Sequence, residues 1–165
     1  MKTKRLTFCA LLTAIALTIF MVEAQLPPVV PVPGVKLGLA NIVTVYAMFA
    51  LGPADTLLIL ISRIILGSLF AGGSTFLYSL AGGMLCYLSM LLLRKILTLK
   101  QLWVCGAIGA IFHNIGQMAV AIAIVKTPQL IVYLPLLLVT GVIAGTFTGF
   151  VAQFVLERLE GRIKF

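Results

Sequence analysis

The chain alternates between long apolar runs and short polar or proline-containing breaks. A helix that crosses a bilayer needs about 20 residues, and six runs approach or exceed that length. Charged residues lie mostly at the ends of these runs. The pattern predicts one all-α integral membrane domain over residues 1–165, with six helices at about 6–26, 37–51, 54–71, 75–93, 102–125 and 131–156.

The break at residues 27–36 differs from the others because it contains four prolines within seven residues. Proline lacks a backbone N–H and disfavours the helical conformation in the residue before it, so an extended loop is expected. The second run, 37–51, would rise only about 22 Å, which is less than the ~30 Å hydrocarbon core. We therefore expect a short second helix that spans incompletely, with the proline-rich loop dipping towards the membrane.

The basic residues predict an orientation. With six spans, nine of them fall on the side of the two termini: Lys2, Lys4, Arg5, Arg94, Lys95, Lys100, Arg158, Arg162 and Lys164. The other side holds Lys36 and Lys126. Cytoplasmic loops are enriched in Lys and Arg, so both termini are expected in the cytoplasm and the proline-rich loop outside.

Composition narrows the function. The chain is 62% hydrophobic and 10% charged, whereas a soluble domain has about 25% charged residues. Its net charge of +8 does not indicate nucleic-acid binding, because the bases flank apolar runs and form no basic face with interleaved aromatic residues. The three cysteines have no C-x-x-C spacing and are interpreted as small apolar packing residues, without metal.

The N-terminus also resembles a secretory signal, with Lys2, Lys4 and Arg5 before an apolar stretch and Val22-Glu23-Ala24 as a cleavage motif. We favour an uncleaved first span; cleavage before Gln25 is the alternative.

Arg63 lies near the middle of the third run, and His113, Asn114 and Gln117 lie within five residues of the fifth. Arginine at the centre of a bilayer costs at least about 2.5–3.5 kcal/mol, so such residues usually face a bundle interior or a cavity. Residues three or four apart share a helix face, so His113 and Asn114 should each lie beside Gln117.

The predicted topology brings further polar residues to the same depth. Glu23, Lys36 and Asn41 should lie in the outer half, above Arg63. A pocket under the proline-rich loop is expected there, suited to an anionic small molecule. The candidate ligand-binding residues are Arg63, His113, Asn114, Gln117, Asn41, Lys36 and Glu23. Two alternatives stay open: hydrogen bonds between helices for the fifth-helix residues, and pairing of Arg63 with Glu23 or a backbone carbonyl.

Small residues recur every four positions in two helices. Gly141, Gly145 and Gly149 on the sixth helix, and Ala10 and Ala14 on the first, allow close approach of another helix. Packing within the chain is the default interpretation, and the stripe on the first helix could also contact a partner subunit.

Several stretches together resemble the Gx transporter family, whose members are labelled heptaprenyl diphosphate synthase component I. These are Glu23–Pro27, Pro33–Asn41, Leu51–Pro53, and His113-Asn114 with Gln117. That family is in turn similar to the S components of energy-coupling factor transporters.

The resemblance implies a six-helix bundle in the bacterial cytoplasmic membrane that binds a vitamin or another nutrient. The Ala10 and Ala14 stripe would dock on a transmembrane coupling protein served by ATPase subunits, and the loop before Lys36 would act as a lid. Many S components have an acidic residue soon after the lysine, where this chain has Gly38. The chain has no obvious vitamin-specific motif, so the resemblance implies no particular substrate.

Catalytic chemistry is not expected. Prenyl diphosphate synthases bind Mg²⁺ through aspartate-rich motifs, and this chain has one aspartate, Asp55. It has no Gly-x-x-x-x-Gly-Lys-[Ser/Thr] motif for ATP, so no cofactor is predicted. Two alternatives to the transporter component remain: a noncatalytic membrane subunit of isoprenoid or quinone metabolism, and a proton-coupled carrier using His113 and Glu23.

Overall fold

A computed structural model describes residues 3–27 and 35–159. These residues form six α-helices, as the sequence predicted, and two 3₁₀ segments. The helices are α1 (Thr3–Glu23), α2 (Asn41–Ala50), α3 (Pro53–Ala71), α4 (Gly73–Leu93), α5 (Leu102–Val125) and α6 (Leu134–Leu159). The 3₁₀ segments, Leu99–Gln101 and Pro128–Tyr133, precede α5 and α6.

Five of the helices are long and apolar enough to cross a membrane: α1, α3, α4, α5 and α6. Their outward faces carry large apolar side chains, and Ile143 and Phe147 on α6 are 66% and 64% exposed. Such faces are unfavourable in water but suit lipid. The protein is therefore a multi-pass membrane protein, as expected.

The short helix α2 lies at the centre of the bundle and packs against all five long helices. Val45, Ala47 and Met48 are completely buried. The five long helices form an arc around it in chain order, each packed on the next. Among residues 3–27 and 35–159, α1 and α6 at the two ends of the arc make at most a slight contact with each other.

Contacts at the two ends of α1 fix the position of the α2 region along the axis of the bundle. Near the start of α1, Arg5 donates hydrogen bonds to Asp55 and to the carbonyl oxygen of Leu51. At the end of α1, Glu23 accepts hydrogen bonds from the backbone ahead of α2. These α1 residues are about 27 Å apart along the helix. The non-helical residues before α2 thus complete the distance that its 10 residues do not cover.

The predicted start of the second helix at residue 37 was wrong. Residues 35–38 form no regular secondary structure, and Gly38 has φ of +80°, which interrupts a right-handed helix. The first helix also ends three residues earlier than predicted, at Glu23, and the sixth begins at Leu134 because Pro128–Tyr133 is a 3₁₀ segment. Most of the predicted proline-rich loop, residues 28–34, lies outside the described residues.

Glycines allow α5 and α6 to approach closely, as the four-residue spacing on α6 predicted. A Cβ at Gly145 would collide with the carbonyl oxygen of Gly106 and lie 2.7 Å from the Cβ of Ala110. A Cβ at Gly149 would lie 2.6 Å from the Cα of Trp103. The two backbones are thus in direct contact, which sets the position of the polar residues farther along α5.

Candidate functional site

Six of the predicted site residues come together around the segment that leads into α2. We call them the polar cluster: Glu23 (α1), Lys36 and Asn41 (before and at the start of α2), Arg63 (α3), and His113 and Gln117 (α5). Five of the six are no more than 6% exposed, and Lys36 is half-buried. The predicted openness of the pocket is therefore not seen: these side chains are enclosed.

Glu23 holds the backbone that leads into α2. Its Oε1 accepts a hydrogen bond from the N–H of Gly38 at 2.6 Å, and its Oε2 accepts one from the N–H of Leu39 at 3.0 Å. Backbone N–H groups at the start of a helix have no partner within the helix, and a carboxylate is well suited to satisfy them. Glu23 therefore fixes the turn that begins α2.

Gln117 holds the same segment from the other side. Its Oε1 accepts the backbone N–H of Lys36 at 3.1 Å. Its Nε2 lies 3.0 Å from His113 Nε2. An amide nitrogen can only donate, so His113 Nε2 accepts and the neutral ring carries its proton on Nδ1. The contact between positions four apart on α5 is the one that helical spacing predicted.

Gly38 makes the approach of these groups sterically feasible. A Cβ at this position would lie 2.8 Å from Asn41 Nδ2 and 3.0 Å from His113 Cδ2. The sequence singled out Gly38 only as a departure from the acidic residue of many S components. Its position between Lys36 and Asn41 was the available signal for a tight turn.

Arg63 has no partner for two of its nitrogens. It is 4% exposed, and neither Nε nor Nη2 makes a hydrogen bond. Glu23 is close enough to act on it electrostatically, but Arg5–Asp55 is the single ion pair within 4 Å in the described part of the chain. The alternative of a direct Arg63–Glu23 pair is therefore not realised in this structure.

Lys36 and Asn41 add further unpartnered groups. Lys36 Nζ has no hydrogen-bond acceptor and lies 3.7 Å from the centroid of the Phe20 ring, a cation–π contact. Both polar atoms of the Asn41 side chain are buried without a hydrogen bond. Phe20 reaches this position because Gly67 on α3 leaves room for its ring. Spacing along the sequence gave no signal for either Phe20 or Gly67.

Burial lowers the pKa of Lys36 from its usual value of 10.5. The negative charge of Glu23 acts against this effect, and the positive charge of Arg63 adds to it. An anion bound beside Lys36 would favour the charged ammonium group and raise its pKa again.

Asn114 lies away from the polar cluster, between α5 and α6. Its Nδ2 donates to the carbonyl oxygen of Leu137 at 2.6 Å, and Gly141 leaves the space that its side chain fills. This geometry matches the alternative that the sequence left open, a hydrogen bond joining two helices.

Ala10 and Ala14 lie on α1, away from the polar cluster. Both are exposed on the outer face of α1. They take no part in burying the core, which on this helix is formed by Cys9, Leu12, Ala16 and Phe20.

The polar cluster carries more positive than negative charge, which suits an anion. Lys36 and Arg63 oppose one carboxylate, Glu23, whose oxygens already accept two N–H groups. No group of three or more His, Cys, Asp or Glu residues suited to a metal occurs among the described residues.

Comparison with protein families gives a match over most of the chain. The family model described as "Heptaprenyl diphosphate synthase component I" matches residues 12–155. The matched range includes α2 to α5, the second half of α1, all but the last four residues of α6, and every residue of the polar cluster. No curated protein and no solved structure matches the chain.

Proposed function

The chain belongs to the heptaprenyl diphosphate synthase component I family, and we propose that it is the substrate-binding membrane component of a small-molecule uptake transporter. The ligand would be anionic and would bind in the polar cluster. Partner subunits, a transmembrane coupling protein and ATPases, would supply the energy. The protein would lie in the bacterial cytoplasmic membrane with both termini inside, as the distribution of basic residues predicts.

The buried unpartnered donors of the polar cluster carry this proposal. Leaving a buried donor without a hydrogen bond costs about 1–3 kcal/mol, so native proteins rarely do it without a functional reason. Here Arg63, Lys36 and Asn41 all have such atoms. A bound anion with several acceptor oxygens would satisfy them together and would neutralise the net positive charge.

The residues of the polar cluster would have two roles, contact with the ligand and positioning of the segment before α2. Arg63, Lys36 and Asn41 would contact the ligand. Glu23, Gln117 and His113 would position the segment that leads into α2, because Glu23 and Gln117 accept its N–H groups. Asn114 would contribute by fixing α5 against α6.

Small molecules retained by the purified protein test the ligand-binding proposal. Wild-type protein, Arg63→Met and the matched control Arg94→Met would be purified in mild detergent and denatured, and the released compounds identified by mass spectrometry. Arg94 is exposed and lies beside Gly52, at the opposite end of the bundle. We expect an anionic compound with wild-type protein and Arg94→Met, reduced by at least about tenfold with Arg63→Met. Equal amounts in all three would contradict the proposal.

Ala10 and Ala14 supply the proposed docking face for the coupling protein. Their exposure on α1 leaves this small-residue surface accessible to another helix. Ala14→Trp should therefore reduce co-purification of the coupling protein and ATPases from native membranes. The control Ala123→Trp, at an exposed position on α5, should leave it unchanged.

The family description favours a second candidate, a noncatalytic membrane subunit associated with a prenyl diphosphate synthase. The same co-purification separates the two. Recovery of a prenyl synthase without ATPases would support the second candidate and contradict transport.

A further inference from the structure

An apolar groove borders the segment before α2 at Leu37, the residue after Lys36 of the polar cluster. It has a volume of about 390 Å³ and is lined by Leu37 from the segment before α2 and by Thr140, Ile143, Ala144 and Phe147 from α6. The Thr140 hydroxyl donates to carbonyl oxygens of its own helix, so it offers the groove no free donor. The volume is within the ~300–1,000 Å³ range of small-molecule sites.

Leu37, which lines this groove, lies between two residues whose backbone is held by the polar cluster. The backbone N–H of Lys36 is bound by Gln117, and that of Gly38 is bound by Glu23. Leu37, between them, contributes to the groove on α6. A molecule extending from the polar cluster past this segment would pass directly from charged groups to an apolar surface.

The groove lies on a side of α6 that faces away from the bundle. Within the part of the chain that the structure describes, α1 and α6 make at most a slight contact with each other. The residues before α2 bridge the two ends: Lys36 contacts Phe20 of α1, and Leu37 lies against α6. Ile143 and Phe147, which line the groove, belong to the exposed apolar face of α6.

We propose that the ligand is an anionic amphiphile, with a phosphate-type head in the polar cluster and a single apolar chain in the groove between Leu37 and α6. This inference rests on the proposed function, because it assigns the head to the same polar cluster. A helix of a partner protein could cover the groove but would leave the buried nitrogens of Arg63 unsatisfied. An anionic head would satisfy them, and its chain would lie against the apolar side chains of the groove.

Photocrosslinking locates the chain. The protein would be placed in nanodiscs of phosphatidylcholine with dodecyl phosphate that carries a diazirine at the end of its chain. We expect adducts on α6 between residues 140 and 147. Excess butyl phosphate, which has the head but almost no chain, should reduce them by at least about tenfold, and Arg63→Met should do the same.

Groove-filling variants provide the matched comparison. Ala144→Trp should remove the α6 adducts while leaving binding of butyl phosphate intact, which also establishes that the variant is folded. Val139→Trp, at a position on α6 that is 60% exposed and does not line the groove, should retain the adducts.

Three results would overturn the inference, and they distinguish it from the proposed function. If neither butyl phosphate nor Arg63→Met reduces the yield of adducts, the dodecyl phosphate contacts α6 only as ordinary boundary lipid. Binding of butyl phosphate that depends on Arg63, with no adducts on α6, would leave the polar cluster as a ligand site but exclude the groove. Absence of Arg63-dependent binding of either phosphate would contradict both proposals.

Discussion

Replacing Arg63 with methionine should make the ligand-free protein more stable. Arg63 is 4% exposed, with two nitrogens that lack hydrogen bonds, and each unsatisfied buried donor costs about 1–3 kcal/mol. Methionine has a similar length and no polar atoms to satisfy. The lost attraction to Glu23 opposes the gain, since the two residues are within electrostatic range. We expect a net stabilisation of about 2 kcal/mol, which is the cost of the two unsatisfied nitrogens less the lost attraction to Glu23.

Thermal unfolding in detergent, after removal of any retained ligand, measures this effect. By the scaling for soluble domains of this size, 2 kcal/mol corresponds to a rise in Tm of about 4–8 °C. The control Arg94→Met removes an exposed charge and should change stability by less than about 0.5 kcal/mol. A lower Tm for Arg63→Met would refute the reasoning, because it would mean that Arg63 is a structural ion-pair partner.

Three further predictions concern the surroundings of the polar cluster. Gly38→Ala should lower stability by about 2 kcal/mol or more in thermal unfolding, because it adds a contact at 2.8 Å to the cost of positive φ. Gly72→Ala, which has φ of +88° and open space, should show the smaller backbone cost alone, so equal losses would contradict this assignment. Affinity for butyl phosphate, measured by calorimetry, should fall as the pH rises through the pKa of Lys36, which burial lowers from 10.5. Above that pKa the free protein has lost the ammonium proton whose charge favours binding of the anion. Lys36→Arg should remove this dependence; an unchanged profile would argue that another group titrates. Gly145→Ala should destabilise the protein by at least about 2 kcal/mol in the same unfolding assay, because its Cβ would meet the Gly106 backbone, and a neutral result would contradict the close α5–α6 contact.

The sequence predicted most helix boundaries because strong local signals mark them. Pro53 at the first position of α3 and Gly72 at its end fix that helix to within one residue of the prediction. Likewise, the residues of α5 were predicted correctly. The start of α2 was missed because it depends on Glu23, 15 residues away from Gly38, and no local pattern reports that hydrogen bond.

The candidate site was predictable in part for a similar reason. Helical spacing identified the contact between His113 and Gln117, since it depends only on positions four apart. Spacing could not indicate that Asn114 would face α6, because that depends on which helix packs on which face. Spacing also could not indicate that the Glu23 oxygens accept hydrogen bonds from backbone N–H groups and not from Arg63.

A high-resolution experimental structure of the wild-type protein with its retained ligand tests the central claim most directly. The account predicts ligand oxygens within about 2.7–3.2 Å of Arg63 Nε or Nη2 and of Lys36 Nζ. Ligand located elsewhere, with these nitrogens bound to other groups of the protein, would contradict it.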